Sequence, residues 1–235
     1  MRRLPFLLFS CLSTVFAGPP GPPASAWKEL FDGRSFAGWR SPSGKTDLGG
    51  AWRIEHGTLT VRPQVQHRTD LWTVDEYDNF EMEWEWRATP GANSGVKYWV
   101  ERASTLVVIK EDEEWKRIAD PSVAEAGDIT IEYSHGPEYQ LAAPDEPSAV
   151  KSPVQRAGGL YGIIAPQPEA VRPAGQWNRS RLVVNRGRIE HWLNGRRVVD
   201  TTPAALTAPN RQRGPIALQY HQTEVAFRSI RVRPL

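Results

Sequence analysis

Residues 79–100 read NFEMEWEWRATPGANSGVKYWV, and the fold class turns on how this stretch is read. Phe80, Met82, Trp84 and Trp86 alternate strictly with Glu81, Glu83, Glu85 and Arg87. A period of two places the four large apolar groups on one face of a β-strand and the charged ones on the other. Pro90 and Gly91 punctuate the chain, and Val96, Tyr98 and Val100 resume the alternation. The pattern predicts two antiparallel strands joined by a longish loop. An isolated hairpin is marginal in water, so the apolar face requires a second sheet across it.

Outward from this stretch the chain offers the material for such a sheet. Its 235 residues carry ten tryptophans, twenty prolines and nineteen glycines, a composition of many short strands and many turns, and long helical periodicity is missing. Trp52, Ile54, Leu59 and Val61 flank a His56-Gly57 turn. Arg181 to Asn185, Arg188 to Leu193 and Arg196 to Val199 are separated by Arg186-Gly187 and Asn194-Gly195, two-residue turns of the kind that need positive φ angles. Pro215 to His221 and Val225 to Val232 read as a last strand pair; from Glu101 the pattern weakens, with Leu106 to Ile109 a candidate strand and Glu111 to Asp128, which has no clean period, read as an inserted excursion with one short helix. About twelve short strands with tight connections predict an all-β, concanavalin A-like jelly-roll β-sandwich of two antiparallel sheets. Residues 27–235 form its single domain.

Residues 1–26 read as a signal peptide and Pro-rich spacer. Arg2 and Arg3 precede an apolar run from Leu4 to Ala17, with cleavage after Ala17 or Ala26. The run is too short to span a bilayer, so the expectation is a secreted or periplasmic protein with no membrane span. The single cysteine, Cys11, falls in this segment, leaving the mature chain without a disulfide. Without Arg2 and Arg3 the formal charge of +2 becomes zero, which gives no electrostatic case for nucleic acid.

Two polar pairs stand out against the alternation. Glu138 and Gln140, two apart, share a strand face opposite Tyr139 and Leu141; Gln219 and His221 share the face opposite Leu218 and Tyr220. The row Glu81, Glu83, Glu85 is read as a solvated sheet face rather than as glycosidase carboxylates. Trp99 and Trp192 are out of phase with their apolar neighbours and are candidates for stacking on a sugar ring. His56, His67 and His191 have no metal-ligand spacing; His135 shares that lack but adjoins Glu138.

The segments ELFDGRSFAGW, WRIEHGTL, YDNFEMEWEWR, GANSGV, GPEYQ, GGLYGIIAP, AGQWNRSRLVV, IEHWLNGRRV and GPIALQYHQTEVAFRSIRV, in this order, resemble the 3-keto-disaccharide hydrolase family from Trp27 to Leu235. The resemblance implies cleavage of the glycosidic bond of 3-keto-glycosides by C2 proton abstraction and elimination, followed by hydration. A ketone at C3 acidifies the C2 hydrogen, so the chemistry asks for proton-transfer groups and no nucleophile. By that resemblance Glu138 and His221 are the candidate base and acid, with neither role assigned, and Asn93, Gln140, Tyr161 and Gln219 bind hydroxyls. A divalent metal ion polarising the C2 and C3 oxygens is a candidate cofactor, held by carboxylate and imidazole. The implied partners are a small-molecule carbohydrate substrate and an upstream sugar C3 oxidoreductase, since no dinucleotide-binding glycine pattern occurs. The family's E-x-Q-x-x-D departs here to Ala143, with Asp145 displaced, which favours a non-catalytic carbohydrate-binding jelly roll as the second reading.

Overall fold

A computed structural model describes residues 25–48, 50–111, 114–125, 127–206 and 212–235. The signal-peptide expectation and Cys11 lie outside the described residues. Among those described, seventeen strands form three sheets. Two of them face one another as the expected all-β jelly-roll sandwich. Phe80–Ala88 pairs with Asn178–Asn185 on one side and Val225–Pro234 on the other, at the centre of an eight-stranded antiparallel sheet. The opposing five-stranded sheet runs Glu138–Ala142, Asn93–Lys97, Gly214–Leu218, Leu71–Tyr77, Trp39–Arg40.

The two halves of the 79–100 stretch are therefore not hairpin partners, which corrects the expected pairing. As a hairpin both strands would present their large apolar groups on the same side with nothing opposite. Instead the corner at Pro90-Gly91, where Gly91 adopts φ 68°, carries the chain from one sheet to the other. The two apolar faces then meet: Trp84 and Tyr139 pack edge-on across the core with centroids 4.9 Å apart. The expected C-terminal pair is corrected in the same way. Gly214–Leu218 ends short of His221 and lies in the five-stranded sheet, while Val225–Pro234 lies in the eight-stranded one. The short hairpins follow expectation: φ is 48° and 84° at Arg186-Gly187 and 50° and 81° at Asn194-Gly195.

The strand expected at Leu106 to Ile109 is present, inside Arg102–Glu111, and the Glu111–Asp128 excursion supplies a further strand, so together they build a third sheet. Glu114–Ile118, Arg102–Glu111 and Ile129–His135 pair antiparallel, and His67–Thr69 adds parallel to the last. Asp70 couples this sheet to the sandwich, its carboxylate accepting the backbone N–H groups of Ser134 and Tyr220, each at 2.9 Å. Trp72 Nε1 reaches the same strand, donating to Ser134 Oγ at 2.5 Å. A buried carboxylate with such partners pins two sheets at one point.

Two further expectations change. Trp99 is only 1% exposed and donates its Nε1–H to the Asp78 carbonyl at 2.8 Å, so it is a core residue and not a sugar platform. The acidic row is not simply solvated. Glu81, 4% exposed, is clasped by Arg181 and Arg233; Glu83 accepts from Arg179 at 2.9 Å and Arg231 at 2.6 Å; Glu85 accepts from Arg228 at 2.7 Å. The arginine planes are covered in turn by Trp27, Trp177 and Trp192. This face is an ion-pair ladder roofed by aromatics.

Candidate functional site

Cross-strand register assembles the site. Lys97 stands opposite Glu138 on one side and Ala217 on the other, Gly95 opposite Gln140, and Asn93 opposite Ala142. Directly opposed residues share a face, so Asn93, Gly95, Lys97, Glu138 and Gln140 lie together on the side of the sheet away from Tyr139 and Leu141. Gln219 joins them just past its strand, its N–H donating to the Gly95 carbonyl at 2.9 Å.

Glu138 is the centre of this cluster. Its Oε2 lies 3.9 Å from Lys97 Nζ and 3.5 Å from Gln219 Nε2. With the Gln140 amide turned so that its nitrogen donates to Glu138 Oε1 at 2.9 Å, its oxygen lies 3.2 Å from the Asn93 amide and accepts from it once that amide is turned in concert. The carboxylate is buried, and burial pushes its pKa up to about 7; the Lys97 ammonium pulls it down and the Asp70 charge adds to the rise. Lys97 is itself buried, donating to the Ser134 carbonyl at 3.1 Å with Asp70 Oδ2 at 3.5 Å. Two carboxylates thus share one ammonium, and the more deeply hydrogen-bonded one, Asp70, is its nearer partner.

Gly95 makes room for this arrangement. A Cβ at that position would stand 2.6 Å from Glu138 Cδ and 2.8 Å from Cγ, far inside contact distance. Only a residue without a side chain lets the carboxylate lie against the neighbouring strand.

A cleft of about 330 Å³ opens beside Glu138, lined also by Glu101, Arg102, His135, Tyr161 and Leu206. Its size falls at the lower end of small-molecule sites, which run to roughly 300–1,000 Å³. Tyr161, 42% exposed, lines the rim and accepts from Gln155 Nε2 at 3.3 Å. Its N–H donates to the Glu138 carbonyl at 3.0 Å, tying the rim to the site strand; the GGLYGIIAP segment is a turn here rather than a strand. His135 is half-buried, with Nε2 2.7 Å from Ser104 Oγ. Burial and the Arg102 and Lys97 charges hold its pKa below the usual imidazole value, with Asp70 opposing them.

The structure therefore brings Glu138, Gln140, Asn93 and Gln219 into one connected group and sets Tyr161 on the same cleft. His221 is solvent-exposed, and among the described residues no hydrogen bond or ion pair links its imidazole to Glu138. Gln219 Oε1 is buried without a hydrogen-bond partner among those residues, an acceptor that a bound hydroxyl would satisfy. Ala143 is buried, and Asp145 accepts the Gly91 N–H at 3.0 Å, so that displaced carboxylate fastens the corner loop. No set of three His, Cys, Asp or Glu side chains placed to hold a metal occurs among the described residues, and the cation beside Glu138 is Lys97. That donor set does not fit a divalent ion.

Lys97, Asp70 and Gly95 escaped the sequence reading. Lys97 carried a signal, a lone charge in phase with Asn93 between two core residues, whereas nothing local ties Asp70 to Glu138. Residues 26–233 match the family model described as the 3-keto-alpha-glucoside-1,2-lyase-like domain. A 3-keto-disaccharide hydrolase of Bacteroides thetaiotaomicron is 28% identical, over 90% of this chain and 79% of its own. A candidate glycosyl hydrolase of Parabacteroides distasonis superposes with a TM-score of 0.66 at 25% identity, covering 89% of this chain and 94% of that one. A second from the same organism superposes at 0.62 with 19% identity, over 94% and 95% of the two chains.

Proposed function

This chain belongs to the 3-keto-alpha-glucoside-1,2-lyase-like domain family, a family of carbohydrate-active enzymes, and on that premise we propose that it cleaves the glycosidic bond of 3-keto-glycosides. The reaction removes the acidified C2 hydrogen, expels the C1 oxygen from the resulting enolate, and adds water across the new C1=C2 bond, for a net hydrolysis. An upstream C3 oxidoreductase supplies the ketone, and the enzyme works outside the cytoplasm after loss of its leader.

One observation carries this reading: Glu138, its carboxyl raised by burial to about 7 and held by side-chain amides, is among the residues lining a small-molecule-sized cleft. A proton-transfer group is most effective when its pKa lies near the working pH. The unsatisfied Gln219 Oε1 and the Tyr161 side chain on the cleft offer hydrogen bonds to ring hydroxyls, while Gln140 and Asn93 brace the Glu138 carboxyl from behind. The neighbouring Lys97 ammonium steadies negative charge that builds on the substrate.

The test is incubation with a 3-keto-glucoside and with the same glucoside unoxidised. Free 3-keto-glucose from the first and no release from the second is the expected result, and Glu138→Gln reduces turnover by about 100-fold or more. Binding without turnover, cleavage of the unoxidised glycoside, or an unchanged rate in Glu138→Gln each overturns the reading.

A further inference from the structure

Cleaving a glycosidic bond through C2 requires two proton transfers on different atoms, and one carboxyl group cannot occupy both positions at once. Among the described residues, His135 and Glu138 line the same cleft, three positions apart, joined by a turn at Gly136-Pro137 that passes from the third sheet to the five-stranded one. Gly136 is packed so closely that a Cβ there would meet the Tyr98 carbonyl at 2.8 Å, which holds the turn against the sandwich. The imidazole is fixed by Ser104 Oγ at 2.7 Å and by the Tyr133 ring, its centroid 5.0 Å away.

Resting on the function proposed above, we propose that His135 is the second proton-transfer group, taking the C2 hydrogen as base while the Glu138 carboxyl donates to the departing glycosidic oxygen. The C2–H electron pair becomes the enolate, with negative charge on the C3 oxygen. Collapse restores C3=O, forms C1=C2 and breaks C1–O, and the alcohol leaves with the Glu138 proton. Water then adds at C1, losing a proton to the Glu138 carboxylate, while the His135 imidazolium returns a proton to C2. Both groups end as they began.

The surroundings support this division of roles. Glu138 is raised to about 7 and is substantially protonated near neutral pH, whereas His135 is lowered and stays neutral there. Environments that push two titratable groups apart in this sense select the acid and the base. The charged groups about His135 are Arg102, Lys97 and Asp70, with Glu101 and Glu138 on the cleft wall; the two cations disfavour imidazolium and outweigh Asp70.

Leaving-group chemistry tests it, because a nitrophenol departs without an acid and an alcohol does not. His135→Ala and His135→Gln are compared with Glu138→Gln on 3-keto-glucosides of methanol and of p-nitrophenol, each variant first shown to melt cooperatively. The expected result is a loss of about 100-fold or more on both substrates for the His135 variants, partly restored by added imidazole in His135→Ala. Glu138→Gln loses comparable activity on the methyl glycoside and recovers most of the rate of nitrophenol release on the nitrophenyl one, read as a first-turnover burst, while formation of free 3-keto-glucose stays slow because hydration lacks its base. Wild-type turnover with unimpaired His135 variants, or recovery on nitrophenol by the His135 variants and not by Glu138→Gln, overturns this assignment alone. No turnover by the wild-type protein sinks both it and the function on which it rests.

Discussion

Gly95 and Glu138 occupy one volume: the carboxylate of Glu138 lies where a side chain at position 95 would begin, with Cδ 2.6 Å from the ideal Cβ. Gly95→Ala therefore has to move the carboxylate. Because misplacement of a reacting group by about 1 Å costs on the order of 100-fold, kcat should fall by roughly that factor. Overpacking should lower stability by about 1–3 kcal/mol. In a Glu138→Ala background the same substitution should be nearly free of stability cost, as read by denaturant unfolding. An equal cost in both backgrounds would show that the obstacle at Gly95 is something else.

Glu138 makes stability depend on pH. Its folded pKa of about 7 lies above the ordinary 4.5, so the protonated form is favoured by folding. The resulting contribution is fully present below about 4.5 and is lost as the pH rises through about 7. Glu138→Gln, which cannot ionise, should raise the thermal midpoint at pH 8 more than at pH 5. A constant difference across that range would contradict the raised pKa.

His191 acts in the opposite direction. It is fully buried, with Nδ1 3.0 Å from the Gly158 carbonyl and Nε2 3.3 Å from the Tyr98 hydroxyl, and burial lowers its pKa to about 4 from 6.5. Folding favours the neutral ring, so stability is fully present above about 6.5 and declines as the pH falls toward about 4. His191→Gln should flatten the stability curve between those limits while lowering it at pH 7. Urea midpoints measured at half-unit intervals would show the change of slope.

Lys97 and Asp70 form a buried pair that also touches the site. Lys97→Met leaves Asp70 with its two backbone N–H donors and no counter-charge, which should cost about 3–5 kcal/mol. Adding Asp70→Asn should recover part of that loss. In the single variant the Glu138 carboxyl also loses the charge that lowers its pKa, so the pH optimum of any turnover should move upward. A smaller loss in the single variant than in the double would refute the pairing.

The outer ladder is structural, and its members differ by burial. The Glu81 side chain is 5% exposed between Arg181 and Arg233, while that of Glu85 is 32% exposed beside Arg228. Glu81→Gln should destabilise by about 3 kcal/mol and Glu85→Gln by less than about 1 kcal/mol, both without effect on turnover. A loss of turnover in folded Glu85→Gln would place function on this face.

What the sequence determined by itself was local. The alternation from Phe80 to Trp86 decided that these residues are strand with a buried face, and Asn194-Gly195 decided a tight hairpin, because side-chain direction and allowed φ depend only on near neighbours. The phase of Glu138 with Gln140 put both on one face for the same reason. Tertiary structure alone decided partnership. The alternation is equally satisfied whether Asn93–Lys97 pairs with Phe80–Ala88 or faces it, and only the need for each apolar face to meet another sends the two strands to opposite sheets. It likewise decided that Trp99 is buried and that Glu81 is clasped by arginines from strands about a hundred or more residues away. The pKa of Glu138 belongs to the same class. It follows from burial, from Lys97 on the adjacent strand and from Asp70 at the junction with the third sheet, contacts that exist only once the sheets have assembled.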